Sequence, residues 1–199
     1  AAAGHIWGAK DPARAKAARD IYEHCRRDDV CMTHTFVNPM TNRFVPIADQ
    51  EKYVNAGIVD QNSDGIFVSG ARMVGTLAPF SDENLSFGAP LGMTDPRDSV
   101  YALGFQCKVN MPGLKWICRD KMDIERPHYD TPLATRFEEM DAIAVWEDAF
   151  IPWEDVFVAA VAPEHVVDHA HGLGSGAEHL LGVLDRLGVL LGDVLEFSR

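Results

Sequence analysis

One histidine lies in a turn-like segment whose residue types could carry out proton chemistry. The segment is Thr33-His34-Thr35-Phe36-Val37-Asn38-Pro39, and Arg43 follows it. Imidazole is the only side chain that ordinarily titrates near neutrality, so His34 could donate or accept a proton. Pro39 disfavours helical backbone at Asn38 and ends any regular element there. A turn histidine can also be purely structural, and the segment alone leaves both interpretations open.

Composition limits the classes of protein to which this chain can belong. Its 199 residues, 47% hydrophobic and 24% charged, suffice for one large domain or a domain with an appendage. The sequence has no apolar run of membrane-spanning length and no secretion-signal layout at Ala1–His5. The net charge of −12 argues against duplex nucleic acid or an anionic membrane as partner. We therefore predict a cytoplasmic protein.

The four cysteines favour the same compartment. Cys25, Cys31, Cys107 and Cys118 form neither a CxxC pair nor a zinc-binding spacing. Cys107 and Cys118 lie among apolar residues, which is typical of buried thiols in a reducing environment. The sequence therefore predicts neither a zinc site nor a disulfide framework.

The elements that must position the histidine fall into three regions. Residues 11–29 predict a helix, because Asp11 can cap it, Pro12 suits its first turn, and apolar residues recur at helical spacing. From about 30 to 158, short runs rich in Val, Ile, Phe and Trp predict strands in a compact sheet or barrel. These runs are Gly65–Val68, Ala71–Leu77, Val100–Cys107, Leu114–Cys118 and Ala142–Trp146. Tight turns are predicted at Asp64-Gly65, Ser69-Gly70 and Pro112-Gly113.

The third region has a different character. Residues 164–176 are linker-like and rich in glycine, with a histidine cluster formed by His165, His169 and His171. A metal could use that spacing, but the glycine-rich context favours solvated side chains, and we predict no metal site. Residues 177–197 carry a leucine-rich face at helical spacing, interrupted by three glycines. They predict a helix that needs a partner.

Four sequence blocks, in one order, resemble a known enzyme family. They are Arg27–Arg43 (RDDVCMTHTFVNPMTNR), Asp64–Pro79 (DGIFVSGARMVGTLAP), Pro112–Arg119 (PGLKWICR) and Pro132–Phe157 (PLATRFEEMDAIAVWEDAFIPWEDVF). Together they cover roughly residues 7–158. They resemble the oxygenase component of two-component, reduced-flavin-dependent 4-hydroxyphenylacetate 3-monooxygenases and related phenol hydroxylases.

The resemblance implies an acyl-CoA dehydrogenase-like α+β plan. Residues 1–29 would end an N-terminal helical domain, and residues 30–162 would form a middle β domain with a barrel-like sheet. Residues 163–199 would be a Gly/His-rich linker and a leucine-rich helix, the start or remnant of a C-terminal helical bundle. We therefore expect a mainly β domain flanked by an N-terminal and a C-terminal helix, in a chain that is truncated relative to the family.

The resemblance also implies a reaction. The family takes FAD in its reduced form, FADH2, from a separate flavin reductase and forms a C4a-hydroperoxyflavin with O2. It then hydroxylates a small phenol ortho to the hydroxyl group. Family members are commonly homotetramers. We expect this chain to be part of such a monooxygenase, without nucleic-acid or membrane partners.

Site residues follow from the same resemblance, position by position. His34 matches the residue that contacts the phenolic oxygen, where it would act as base or polariser. The flavin would lie along Thr35, Phe36, Val37, Met40, Thr41, Asn42 and Arg43, with Arg43 on the pyrophosphate. Thr76 matches a threonine that contacts the flavin. Ser86, Gly88 and Ala89 match a segment that closes over the substrate.

Other interpretations remain open at the level of sequence. A 4-hydroxybutyryl-CoA dehydratase-like enzyme shares the plan but needs iron–sulfur ligands, and the cysteine spacing supplies no convincing set. A non-catalytic β domain that mediates assembly is the third possibility. We interpret Arg136–Asp141 (RFEEMD) as a structural turn with ion pairs, and Trp146 and Trp153 as core or interface aromatics. The identity of the phenol stays undetermined.

Overall fold

The computed structural model describes residues 12–39, 41–42, 44–88, 96–122 and 127–159. Within these ranges the chain forms one α-helix and eight β-strands. They are α1 (Pro12–Asp28), β1 (Met32–Thr35), β2 (Gly57–Gln61), β3 (Gly65–Thr76), β4 (Glu83–Phe87), β5 (Leu103–Lys108), β6 (Leu114–Cys118), β7 (Asp141–Pro152) and β8 (Val156–Ala159). Across the same ranges, no helix is both long and apolar enough to span a membrane. The predicted C-terminal helix and the histidine cluster lie outside the described residues.

The strands form two four-stranded sheets that enclose a shared core. The first sheet has the order β1-β4-β5-β8, and the second has the order β2-β3-β7-β6. Side chains from both sheets meet between them, with Phe105 and Trp146 in edge-to-face contact at 5.4 Å between ring centroids. Trp146 is therefore a core residue, as predicted, and the prediction of a mainly β domain is confirmed.

The sheets do not close into the predicted barrel. Strands β1 and β8 are the edges of the first sheet, and each of them pairs on one side only. Strand β1 runs parallel to β4, whereas β5 pairs in antiparallel orientation with both β4 and β8. A barrel requires its first and last strands to pair, and short apolar runs carry no information about that closure.

The second sheet corrects one turn prediction. Strand β3 joins two of the predicted runs, so Ser69-Gly70 is not a turn but a bulge at which the pairing with β7 shifts. Gly70 has a φ of +111°, and a Cβ there would lie 2.4 Å from the backbone oxygen of Asn55. A serine–glycine pair is common in both turns and bulges, so the local sequence could not distinguish them.

Helix α1 packs on the outer strand β8 through small residues. Ala15, Ala17 and Ala18 are buried, and the last two contact Phe157. Alanines allow the helix backbone to approach the sheet closely. At the N-terminal end, the Arg14 guanidinium lies 4.4 Å from the centroid of the Trp153 ring and donates to the Val156 backbone oxygen at 3.1 Å. Trp153 therefore lies at the contact between α1 and the sheet.

A polar contact fastens the other end of α1. Two carboxylates flank His24, whose Nδ1 lies 2.7 Å from Asp28 and whose Nε2 lies 3.1 Å from Glu83 on β4. These hydrogen bonds, the one to Glu83 first, raise the pKa of His24. The side chain of Gln106 donates to the other oxygen of Glu83, which is buried. Together, Arg14 and His24 hold both ends of the helix against the sheets.

Candidate functional site

The candidate site begins on the edge strand β1, where side chains alternate between the interior and the surface. Thr33 and Thr35 are 2% and 0% exposed, whereas His34 points outward from the sheet. Phe36, just beyond the strand, is 38% exposed and continues the outward face. Strand pleating therefore buries the two hydroxyls and presents the imidazole.

Three rings form a stacked series, which we call the aromatic row: His34, Phe36 and Phe87. The His34 and Phe36 ring centroids are 5.0 Å apart with 6° between their planes. Phe36 and Phe87 follow at 5.7 Å and 15°. Near-parallel rings at these separations offer a flat face on which a planar aromatic ligand could stack.

An apolar cavity of about 370 Å³ adjoins the aromatic row. It lies between α1 and the same face of the first sheet, and Phe87 belongs to both features. Leu85, another lining residue, is the partner of His34 in the β1–β4 register. The remaining lining residues are Ala18, Ile21, Tyr22, Cys25, Met32 and Phe157. The volume falls within the range typical of small-molecule sites.

The end of β3 is tied directly to the histidine segment. The Thr33 hydroxyl donates to the backbone oxygen of Thr76 at 2.7 Å. Further along, the backbone N–H of Met73 donates to the Val37 oxygen at 2.7 Å. The Thr76 hydroxyl donates in turn to Oδ1 of Asp141 at 2.8 Å. Thr76, predicted to contact flavin, therefore lies next to the inward-facing Thr33 of the histidine segment.

Ion pairs extend this connection to the RFEEMD segment. The Arg119 guanidinium lies 3.7 Å from Oδ2 of Asp141 and 2.6 Å from Oε1 of Glu138. The backbone N–H of Met122 donates to Glu138, and this bond together with Arg119 lowers the pKa of Glu138. The segment thus carries the predicted ion pairs, and its last residue, Asp141, also bonds Thr76.

A buried cation lies beneath the segment that was predicted to cover the substrate. Arg72 is 0% exposed, and among the described residues it has no carboxylate within ion-pair distance. Its guanidinium donates to the Ser86 hydroxyl at 3.1 Å and to the backbone oxygens of Tyr101 and Leu103 at 3.2–3.3 Å. Burial lowers the pKa of Arg72 to about 9. A Cβ on Gly88 would lie 2.9 Å from Nη2 of Arg72.

These contacts change the roles open to two predicted ligand residues. Ser86 is 0% exposed, and its hydroxyl is directed to Arg72 instead of the surface. Thr35 is also fully buried, and its hydroxyl bonds the Asn84 side chain at 3.3 Å. Because β-strand side chains alternate, both hydroxyls face the interior. A ligand at the surface of β1 could reach only backbone groups of these residues.

The remaining predicted flavin contacts form a local turn or fall outside the described residues. The Thr41 hydroxyl donates to Gln50 at 2.8 Å, and Oδ1 of Asn42 accepts the Phe44 backbone N–H at 3.0 Å. This bond from Asn42 to a backbone N–H two residues on is typical of a turn. The predicted site residues Met40, Arg43 and Ala89 lie outside the described residues.

Three residues of this region escaped prediction, namely Arg72, Phe87 and Asp141. An arginine within the apolar run of β3 was the available signal for a buried polar group. Phe87 lay within the predicted substrate segment but was assigned no contact. Asp141 was visible only as one charge of the RFEEMD segment, since its partner Thr76 is 65 residues away in sequence.

Comparison with known proteins places this architecture among flavin-dependent hydroxylases. A family profile described as 4-hydroxyphenylacetate 3-hydroxylase N terminal matches residues 1–158. The oxygenase component of 4-hydroxyphenylacetate 3-monooxygenase from Geobacillus sp. (strain PA-9) is 40% identical over 157 residues. That alignment covers 78% of this chain and 32% of the relative, so the chain spans about a third of the relative's length.

Solved structures agree. The oxygenase component of 4-hydroxyphenylacetate 3-monooxygenase, complexed with FAD and 4-hydroxyphenylacetate, superimposes with a TM-score of 0.68 at 32% identity. The match covers 92% of this chain and 38% of that one. An archaeal 4-hydroxybutyryl-CoA dehydratase from N. maritimus has a TM-score of 0.65 at 19% identity, covering 75% of this chain and 30% of that one. At that identity the likeness shows the fold alone.

Proposed function

The chain belongs to the 4-hydroxyphenylacetate 3-hydroxylase family. From this premise we propose that it is part of a two-component monooxygenase and that its histidine segment binds flavin and phenol. The reaction would be ortho-hydroxylation of a small phenol by the oxygenase component, with FADH2 supplied by a separate reductase. Assembly into a homo-oligomer, a tetramer by family resemblance, is part of the same proposal. The observation that carries it is the outward-facing His34, stacked in the aromatic row beside an apolar cavity.

The residues present fit a bound flavin. The aromatic row offers a planar stacking face. The half-buried Thr76 hydroxyl, at the end of β3 that Thr33 contacts, offers a polar atom. A reduced flavin held there would supply the activation of molecular oxygen. The phenol would enter the apolar cavity, because its ring prefers surroundings from which water is excluded.

His34 is the residue that we assign to the phenol. It is the outward polar group of β1, and its partner in the β1–β4 register, Leu85, lines the cavity. A hydrogen bond from the phenolic oxygen to the imidazole would favour the phenolate and raise the electron density of the ring. The parallel pairing with β4 and the stack on Phe36 hold the imidazole in place.

A dehydratase-like activity has weaker support. Its solved relative shares only the fold with this chain. Of the cysteines that could ligate a cluster, Cys107 is buried among apolar side chains, and this burial raises its pKa to about 12. The hydroxylase family profile covers most of the chain, and it supports the hydroxylase over the dehydratase.

Binding of FADH2 and phenol can be tested on the chain itself. Because the chain spans about a third of the Geobacillus relative, we expect weak FADH2 binding and slow or absent hydroxylation. Anaerobic FADH2 should still raise the melting temperature, since a ligand selective for the native state stabilises it. A melting temperature that does not respond to FADH2 would instead support a non-catalytic β domain.

His34→Ala tests the assignment to the phenol. With FADH2 bound, the affinity for 4-hydroxyphenylacetate should fall about tenfold, as expected for the loss of one hydrogen bond to a charged group. The matched control is His128→Ala, since His128 is also exposed in the described part of the chain but lies outside the site. If the His34→Ala variant and the wild type bound 4-hydroxyphenylacetate with equal affinity, His34 would not hydrogen-bond the phenol.

A further inference from the structure

We propose that Asp141 is a positioning residue that fixes the Thr76 hydroxyl as a hydrogen-bond acceptor, so that the site prefers reduced over oxidised flavin. The inference rests on the proposed function, because it concerns the redox form of the ligand in the same site. It assigns a role to the RFEEMD segment beyond its ion pairs. The structural basis is a short chain of polar contacts from Arg119 through Asp141 to Thr76.

The direction of the Thr76–Asp141 hydrogen bond follows from the chemistry of the two groups. A carboxylate can only accept hydrogen bonds, whereas a threonine hydroxyl has one hydrogen and two lone pairs. At 2.8 Å from Oδ1 of Asp141, the hydroxyl must direct its only hydrogen toward the carboxylate. The guanidinium of Arg119 lies 3.7 Å from Oδ2 of the same carboxylate. Thr76 can therefore offer only lone pairs to any other group.

The position of Thr76 makes these lone pairs available to a ligand. Its backbone oxygen is already bonded by the Thr33 hydroxyl, one residue before His34. Its side chain is half-buried at the end of β3, and its neighbours Val74 and Leu77 are 41% and 40% exposed. For a ligand at this edge, Thr76 Oγ1 would therefore be a hydrogen-bond acceptor. It would attract an N–H group of the ligand and repel a lone pair.

Flavin presents these two alternatives in its two redox forms. The N5 atom of the central ring carries a hydrogen in the reduced form and a bare lone pair in the oxidised form. An acceptor facing that atom stabilises the reduced form and repels the oxidised one. The N3–H group is present in both forms, so a contact to it would give no preference. A redox preference that depends on Asp141 would therefore indicate that Thr76 faces N5 and not N3–H.

The experiment compares dissociation constants of the full chain for reduced and oxidised FAD, measured anaerobically by fluorescence or absorbance titration. We expect the wild type to bind reduced FAD at least tenfold more tightly. In Asp141→Asn the amide can donate to Thr76, which frees the hydroxyl to donate to the ligand, and the ratio should fall about tenfold. For a two-electron couple, that change equals a shift of about 30 mV in the potential of the bound flavin.

Two further variants separate this role from a structural one. Asp141→Asn in a Thr76→Val background should leave the ratio unchanged, because the hydroxyl through which Asp141 acts is gone. Asp148→Asn is the matched control, since Asp148 accepts a hydrogen bond from the Ser69 hydroxyl at 3.2 Å between the same two strands, β3 and β7. It should preserve the wild-type ratio.

The outcomes distinguish the inference from the proposed function. Equal binding of the two redox forms by the wild type, or an unchanged ratio in Asp141→Asn, overturns the inference and leaves the function standing. Failure of the wild type to bind either form overturns both. A folded Asp141→Asn protein that loses affinity equally for both forms would show that the residue is merely structural.

Discussion

The Thr33 hydroxyl donates a 2.7 Å hydrogen bond to the backbone oxygen of Thr76, across 43 residues of sequence. This bond fixes Thr33, the residue before His34, to the end of β3. There the Thr76 hydroxyl donates a hydrogen bond to Asp141. The histidine segment and the end of β3 are thereby held at a defined separation. Strand pleating then presents His34 outward from the anchored Thr33.

Thr33→Val should destabilise the protein, because it removes this hydrogen bond while keeping the side-chain shape. Thr33 is 2% exposed, so the Thr76 backbone oxygen would lose a buried donor. We expect a loss of about 1–2 kcal/mol in the free energy of unfolding, measured with urea. Ser63→Ala, which removes an exposed hydroxyl bonded to its neighbour Asp64, should change stability by less than about 0.5 kcal/mol. If both substitutions lowered the free energy of unfolding equally, the Thr33–Thr76 bond would not be an anchor.

Arg72→Met should also destabilise the protein, although it removes a buried charge. Two effects compete here, namely relief of the desolvation penalty of the guanidinium and loss of donors to the Ser86 hydroxyl and the Tyr101 backbone oxygen. We expect the loss of donors to dominate, since both acceptors become unpaired inside the protein, at a cost of about 2–3 kcal/mol. Chemical denaturation measures it, with the exposed Arg19→Met as control. Unchanged or increased stability would mean that desolvation dominates.

Asp155→Asn should stabilise the protein in a pH-dependent way. Desolvation, and after it the nearby charges of Glu154 and Glu83, raise the pKa of Asp155 to about 6, while His24 opposes the shift. Because the pKa is higher in the folded state than in the unfolded state, the charged form costs stability above pH 6. That cost disappears as the pH falls toward 4.

The expected gain for Asp155→Asn is on the order of 2 kcal/mol at pH 8 and close to zero at pH 4. Thermal or urea unfolding across this range measures the difference from the wild type. Asp120→Asn, at an exposed position, should show no such trend. An equal gain in stability at pH 8 and pH 4 would show that the effect of Asp155→Asn does not come from ionisation of Asp155.

Sequence patterns predicted those elements whose periodicity is strong. The helix from residue 11 to 29 corresponds to α1, and β6 has the predicted bounds. Strand β4 went unpredicted, because its interior residues Glu83, Asn84 and Ser86 are polar and hide the apolar alternation. Strands β1 and β8 are only four residues long, too short for a periodic signal.

For the candidate site, the sequence supplied residues by resemblance but not their partners distant in the chain. The roles of His34 and Thr76 stay predictions; the structure shows that the Thr33 hydroxyl, one residue before His34, bonds the Thr76 backbone oxygen. Thr35 and Ser86 are buried because of the pleating of β1 and β4, and the local sequence did not predict these two strands. The Thr76–Asp141 bond depends on the β3–β7 register, which no short motif contains.

The long separation between Thr76 and Asp141 has a consequence for how the protein is made. Residues 65 positions apart can meet only after a large loop has closed, and contacts of this kind slow folding. During synthesis the histidine segment leaves the ribosome well before β7 exists. Until β7 pairs with β3, the Thr76 hydroxyl lacks its partner Asp141, so the nascent chain carries the histidine segment before the Thr76–Asp141 contact can form.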